Sequence, residues 1–313
     1  MIGSRSIRPG SVLFVSVLKS LKHQLEYFVL QGSLKIFCLL PEAWAYGLGD
    51  GLGRLFFWMD RKHRRMALDN LKIAFGTEKD EQELRTIARQ SYQHLGRSLA
   101  ELARVMVSSP ERIMGSVKIE GLDHFLDAQK KGRGVLYLTA HLGNWELMAL
   151  AHSLQGYPIN VVARPVDNPL LEDLLSRLRT RGGNRVIKKG GALREVLKLL
   201  KAGETVGFLL DQNVVADQGV FVNFFGKSAC THKTLALLAL KTGAVVLPAF
   251  TFRQEGGGHR VIIEPPVLLE ETGDMERDLV VNTQKFTALI ESCIRRHPDQ
   301  WLWVHRRWKT QPQ

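Results

Sequence analysis

From Gly134 to Arg253, short apolar runs rich in β-branched residues alternate with segments of helical period, and this alternation narrows the possible folds more than any other feature. "GVLYLTA" predicts a strand, 144–155 a helix, "YPINVVA" a strand and 168–181 a helix. "NRVIKK" then predicts a short strand, 191–202 a helix, "TVGFLLD" a strand and 231–242 a helix that Thr231 would cap. "AVVLPAFTFR" and "HRVIIEPP" would pair as a hairpin across "QEGGG", and 274–297 forms a last helix. The expectation is an α/β fold with a mainly parallel central sheet flanked by helices. Ligands should then gather at the carboxyl ends of the strands.

The first sixty residues read differently. "SVLFVSVLKSLKHQLEYFVLQGSLKIFCLLPEAWAYGLGDGLGRLFFWMD" is rich in Leu, Phe, Val and Trp, but charges break it into uncharged runs well short of the ~20 residues a spanning helix needs. Arg5 and Arg8 before Val12–Leu18 mimic a signal peptide, yet "KSLKHQ" supplies no small-residue cleavage site. Apolar helices lying on a bilayer face fit this texture, and so does a helical layer packed on the core. Arg61, Lys62, His63, Arg64 and Arg65 follow, a cationic cluster suited to an anionic membrane or to a solvated helix face. We therefore divide the chain into a membrane-associating helical region over 1–75 and a catalytic domain over 76–313, entered through a helix over 77–107.

Composition bounds the rest. A hydrophobic fraction of 45% calls for a packed core, and a net charge of +12 favours acidic partners. Three widely spaced cysteines (Cys38, Cys230, Cys293) suggest neither a disulfide framework nor a metal site, and Cys293 reads as buried filler.

The chemistry concentrates in "TAHLGNWE". His141 stands at the expected end of a strand, Gly143 permits a sharp turn and Asn144 suits an N-cap. Glu146 then falls on the first turn of the next helix, where the helix dipole favours its ionised form. It could hold His141 in one tautomer and stabilise the imidazolium formed when His141 takes a proton from a hydroxyl. A histidine hydrogen-bonded structurally at a turn is the plainer alternative. The spacing lacks the second ligand pair of a metal motif.

"HLGNWE" resembles the H-x4-D/E motif of glycerolipid acyltransferases, and its fuller form resembles the lipid A biosynthesis acyltransferases, the lauroyl and myristoyl transferases of the Gram-negative inner membrane. "ARPVDNPLLEDLLSRLRTRGGNRVI", "LLDQNVVADQGVFVNFFGKSACT", "HPDQWLWVHRRWK" and "LPEAWAYGLGDGLGRLFFWMDRKHRRMALDNLKIAFG" resemble further blocks of that family, covering most of the chain from about residue 25. The resemblance implies an O-acyltransferase that takes its acyl chain from acyl carrier protein at the cytoplasmic face of the inner membrane. The acceptor it implies is an anionic glycolipid, a Kdo-bearing lipid A precursor, whose hydroxylated acyl chain receives a second chain. No covalent acyl-enzyme, metal, organic cofactor or nucleic acid is implied. Arg164 becomes a candidate for phosphate or for the tetrahedral oxyanion, against a surface ion pair. Asp211 and Gln212 end a strand on the edge of His141: Asp211 would orient Arg164 or a sugar, or make an Asx turn, and Asn213 would add substrate hydrogen bonds. Phe221, Phe224 and Phe225 read as an acyl-groove wall or as core. Trp301, Trp303 and Trp308, interleaved with His305, Arg306, Arg307 and Lys309, read as a wet anionic interface. Two rivals stand beside this reading: an acyltransferase for lysophosphatidic acid or a mannosylated or amino-acid lipid, and a non-catalytic membrane-surface protein that binds acyl carrier.

Overall fold

The structure, a computed structural model, describes residues 9–188 and 190–312, with 9–20 followed as backbone alone; Arg5, Arg8 and the side chains of Val12–Leu18 lie outside the described residues. Four helices come first: α1 (Pro9–Leu39), α2 (Glu42–Met59), α3 (Arg61–Phe75) and α4 (Glu81–Val105). Then come α5 (Pro110–Gly115), β1 (Val117–Glu120), α6 (Leu122–Lys130), β2 (Val135–Thr139), α7 (Trp145–Leu154), β3 (Asn160–Ala163) and α8 (Pro169–Thr180). The chain continues through β4 (Arg185–Lys188), α9 (Ala192–Lys201), β5 (Thr205–Leu209), β6 (Gly219–Phe224), β7 (Lys227–His232) and α10 (Thr234–Thr242). It ends with β8 (Val245–Arg253), β9 (His259–Ile263) and α11 (Met275–Arg296).

Seven strands form one sheet in the order β1-β9-β8-β2-β5-β3-β4, parallel throughout except for the β8–β9 hairpin. Strand side chains alternate between faces, and the core divides accordingly. Val135, Tyr137, Leu247, Ala249, Val261 and Ile263 pack under α7 on one face. Leu136, Leu138, Val206 and Phe250 pack against α9, α10 and α11 on the other. The sheet opens at one place. β3 meets β5 only at Asn160↔Val206 and Val161↔Gly207, although both strands run on for two more residues. Their carboxyl ends therefore stand apart, and Val162, Ala163, Phe208 and Leu209 are only half-buried.

α2 crosses α4 at glycines because nothing larger fits. A Cβ on Gly96 would fall 2.0 Å from the Gly49 carbonyl oxygen, and one on Gly53 2.3 Å from that of Tyr92. The close approach leaves the outer side of α2 bare: Trp44, Leu48, Leu55, Phe56, Trp58 and Met59 are exposed. α1 adds Leu21, Leu25, Phe28 and Leu39, and Asn168 Nδ2 donates to its His23 carbonyl (2.9 Å). Among the described residues no helix is long and apolar enough to cross a membrane. Within the cationic cluster Arg64 donates to the Phe57 and Trp58 carbonyls, while Arg61, Lys62 and Arg65 stay exposed.

The carboxyl-terminal third departs from expectation in three respects. Residues 227–232 form β7, antiparallel to β6, so Thr231 lies in a strand and caps nothing; α10 starts at Thr234 without a side-chain cap. Phe225 and Gly226 make the two-residue turn with φ of 53° and 74°, the left-handed pair that matches hairpin twist. Phe224, Phe225, Trp301, Trp303 and Trp308 pack on one another with Phe75 as core, so the tryptophans are neither wet nor at an interface. Cys230 and Cys293 are buried here as well.

Candidate active site

His141 follows β2 by two residues and stands at the carboxyl edge of the sheet, where a parallel α/β arrangement places ligands. Gly143 makes the turn with φ 58°, and a Cβ there would fall 2.3 Å from the Thr251 carbonyl oxygen. Asn144 caps α7 by accepting the Leu147 N–H (3.1 Å), while its amide donates to Glu101 of α4 (2.8 Å). Glu101 is buried and takes two further bonds from Arg253 (2.9 and 2.8 Å). Burial would raise its pKa, but His259 and Arg253 outweigh that and hold it ionised. The turn is also clamped from the chain's far end. Gly143 N–H donates to the Gln300 carbonyl (3.0 Å) and Leu302 N–H to that of His141 (3.1 Å).

The partner of His141 is Asp211, not Glu146. Asp211 Oδ1 lies 2.8 Å from His141 Nδ1, and Oδ2 accepts the His141 backbone N–H (2.9 Å) and Trp301 Nε1–H (2.7 Å). A carboxylate only accepts, so Nδ1 carries the proton and Nε2 keeps its lone pair. Burial opposes charge on both groups. The ion pair and the three donors nevertheless depress the pKa of Asp211 well below the usual carboxylate range. In His141, burial lowers the pKa, while Asp211 and then Glu146 raise it, leaving it above 6.5. The Trp145 ring packs edge-on against the imidazole at 4.9 Å.

Glu146 is near enough to act through its charge, but its oxygens are held by Arg179 of α8, with Nε at 3.0 and 3.1 Å. Sequence reasoning gave Glu146 the orienting role because it is the nearest carboxylate along the chain. The long connection through β3, β4 and α9 brings Asp211 closer in space, at the adjacent strand end in register with β2. Arg179 was missed, since nothing in "SRLRTRGG" marks which arginine faces inward. Arg164 is exposed just after β3, with no ion-pair partner among the described residues, so neither Asp211 nor any other carboxylate orients it. Gln212 reaches His141 Nε2 at 3.4 Å. Asn213 faces away: its side chain exchanges hydrogen bonds with Thr310 (3.0 Å each) and its N–H donates to His305 Nε2 (2.8 Å), so it serves the fold of the carboxyl-terminal segment.

His141, Glu146, Arg164, Arg179 and Gln212 all line one cavity of about 910 Å³ whose remaining walls are largely apolar. Phe221, Phe224 and Phe225 are not among its walls. Among the described residues no three His, Cys, Asp or Glu side chains gather as metal ligands. A histidine held by aspartate, with only the Gln212 amide at its Nε2 among the described residues and two guanidinium groups lining the same largely apolar cavity, can take a proton from a hydroxyl beside a long-chain substrate.

Comparison with known proteins is a separate line of observation. The family described as bacterial lipid A biosynthesis acyltransferase matches residues 16–310. The lipid A biosynthesis lauroyltransferase of Escherichia coli (strain K12) is 30% identical over 284 residues, 90% of each chain. The lipid A biosynthesis palmitoleoyltransferase of the same strain is 29% identical over 293 residues, 93% of each chain. Its lipid A biosynthesis myristoyltransferase is 23% identical over 259 residues, 83% of this chain and 79% of that one.

Proposed function

Because this chain belongs to the bacterial lipid A biosynthesis acyltransferase family and is an acyltransferase, we propose that it moves a fatty acyl group from acyl carrier protein to a hydroxyl on a Kdo-bearing lipid A precursor. The observation that carries this reading is the Asp211–His141 pair, whose imidazole lines a mostly apolar cavity with Nε2 turned away from Asp211 and met, among the described residues, only by the Gln212 amide at 3.4 Å. Nε2 takes the proton of the acceptor hydroxyl as its oxygen attacks the thioester carbonyl carbon. The tetrahedral intermediate collapses, the C–S bond breaks, and the imidazolium returns the proton to the departing thiolate. Ester and free carrier thiol are the products, with no acyl-enzyme: Nε2 serves the acceptor hydroxyl directly, and no serine or cysteine is among the described residues that line the cavity.

Asp211 fixes the tautomer and supports the imidazolium. Glu146 adds a second negative charge near the ring and fixes Arg179 in the cavity wall. Arg164 meets an acceptor phosphate, a role supported by its exposure and its lack of an ion-pair partner among the described residues. The bare apolar sides of α1 and α2 beside Arg61, Lys62 and Arg65 support seating on an anionic bilayer, the cytoplasmic face of the inner membrane, with the acceptor already in that bilayer.

The test is direct. Purified protein is incubated with lauroyl carrier protein and the lipid precursor, and the product is weighed by mass spectrometry. One added acyl chain, lost in His141→Ala, is the expected result. Undiminished transfer by His141→Ala would sink the mechanism, and a product formed only on lysophosphatidic acid would replace the acceptor.

A further inference from the structure

The cavity is not confined to one side of the sheet. Tyr137, Gly207 and Val161 are register neighbours and share the face under α7, where Met148 and Ala149 also border the cavity. Phe208 and Val162 point to the opposite face, where Val196 of α9 and Leu235 and Leu238 of α10 border the same cavity. A closed parallel sheet would separate these walls. The parted ends of β3 and β5 connect them, and Gly207, without a side chain, widens the opening at its base. His141 stands at the rim above the junction, on the α7 side, against Trp145.

We infer that the cavity holds two hydrocarbon chains at once, one on each face of the sheet, meeting at His141. This rests on the proposed acyl transfer, which must join the carbonyl of one chain to a hydroxyl borne on another. The branch under α7 takes the donor acyl chain. It is walled by Tyr137 and His152, hydrogen-bonded to each other at 2.9 Å and buried, with burial pushing the His152 pKa down to about 4, so that this wall is rigid and neutral. A rigid wall can gauge a chain drawn from a mixed pool of thioesters. The branch against α9 and α10 takes the hydroxyacyl chain of the acceptor. The two chains lie on opposite sides of the β3–β5 gap, with thioester and hydroxyl brought together at the rim.

The unaltered protein supplies the first test, with a photoreactive diazirine at the tail of either the donor chain or the acceptor's hydroxyacyl chain. Donor labels are expected on α7 or β9 and acceptor labels on α9 or α10. Labels from both tails on one face would overturn the inference, and exchanged faces would overturn the assignment of the branches. Two variants, each first checked for the parent's circular dichroism and melting transition, supply the second test. Ala149→Phe should move donor preference to shorter acyl groups by tenfold or more, about the discrimination one or two methylenes give, and leave the acceptor KM unchanged. Val196→Phe should raise the acceptor KM by a similar factor and leave donor preference unchanged. If both variants move the same parameter, the cavity holds one chain. Failure of the parent reaction shows separately, as absence of any acylated lipid from unaltered protein whatever the positions of the labels.

Discussion

At the residue scale, the imidazole at position 141 is controlled by two carboxylates with different jobs. Asp211 touches it and fixes the tautomer, so Asp211→Asn should reduce kcat by about two to four orders of magnitude, the range general-base pairs supply, with KM little changed in steady-state acyl transfer. Glu146 acts through charge, so Glu146→Gln should cost less. It should also move the rising limb of the kcat/KM–pH profile to lower pH, because removing an anion lowers the His141 pKa that this limb reports. An unmoved limb would mean that Glu146 serves only to hold Arg179. The linkage has a definite sign. With His141 raised above 6.5, its contribution to stability is full below that value and fades as pH rises through the native pKa. With Asp211 depressed, its contribution is full above 3.8 and fades as pH falls toward the native pKa. The pair should therefore stabilise most between those two values, so Asp211→Asn should lower the melting temperature most in that window and flatten the profile on either side of it.

At the scale of elements, the site depends on segments far from its histidine. The carboxyl-terminal residues 300–302 run beside the His141 turn, and the Trp301 indole completes the shell of Asp211. Trp301→Phe keeps most of the packing and removes one donor from a buried carboxylate, a loss of about 1–3 kcal/mol that would appear as a lower melting temperature together with slower transfer. Gly143→Ala should be worse than its size suggests, because a side chain must be accommodated at φ 58° against a backbone oxygen. Fold and site were unequally legible here. The βα alternation from Gly134 was readable because burial on both sheet faces leaves continuous apolar runs. β1 ("VKIE") went unread because it pairs at the sheet edge and is largely half-buried or exposed, with little hydrophobic pattern. The β6–β7 hairpin was hidden because its turn is Phe-Gly, where the left-handed position falls to a phenylalanine. That residue is held by Glu291 accepting its N–H (2.7 Å) and by Arg295 over its ring (4.7 Å).

At the scale of the whole molecule, the apolar sides of α1 and α2 and the cations of α3 give the protein a wet and a greasy side. Trp44 and Trp58, 71% and 60% exposed, are the clearest candidate anchors for the proposed bilayer seating. The double change Trp44→Ser with Trp58→Ser should reduce sedimentation with vesicles containing phosphatidylglycerol by roughly tenfold or more and leave the far-ultraviolet circular dichroism unchanged. Raising salt should weaken binding further through Arg61, Lys62 and Arg65. Equal binding by parent and variant would place the membrane face elsewhere.

The amino-acid sequence alone determined the βα order, the strand-end position of His141, the turn at Gly143 and the N-cap at Asn144, because each follows from local period, local sterics or a hydrogen bond within a few residues. It also carried the family resemblance that the comparisons then established. Only the tertiary structure decided which carboxylate holds the histidine, that Arg179 binds Glu146, that Asn213 faces the chain's end, and that the tryptophans are core. Those contacts join residues tens to hundreds of positions apart, and their partners are set by which strands lie side by side and where two of them part.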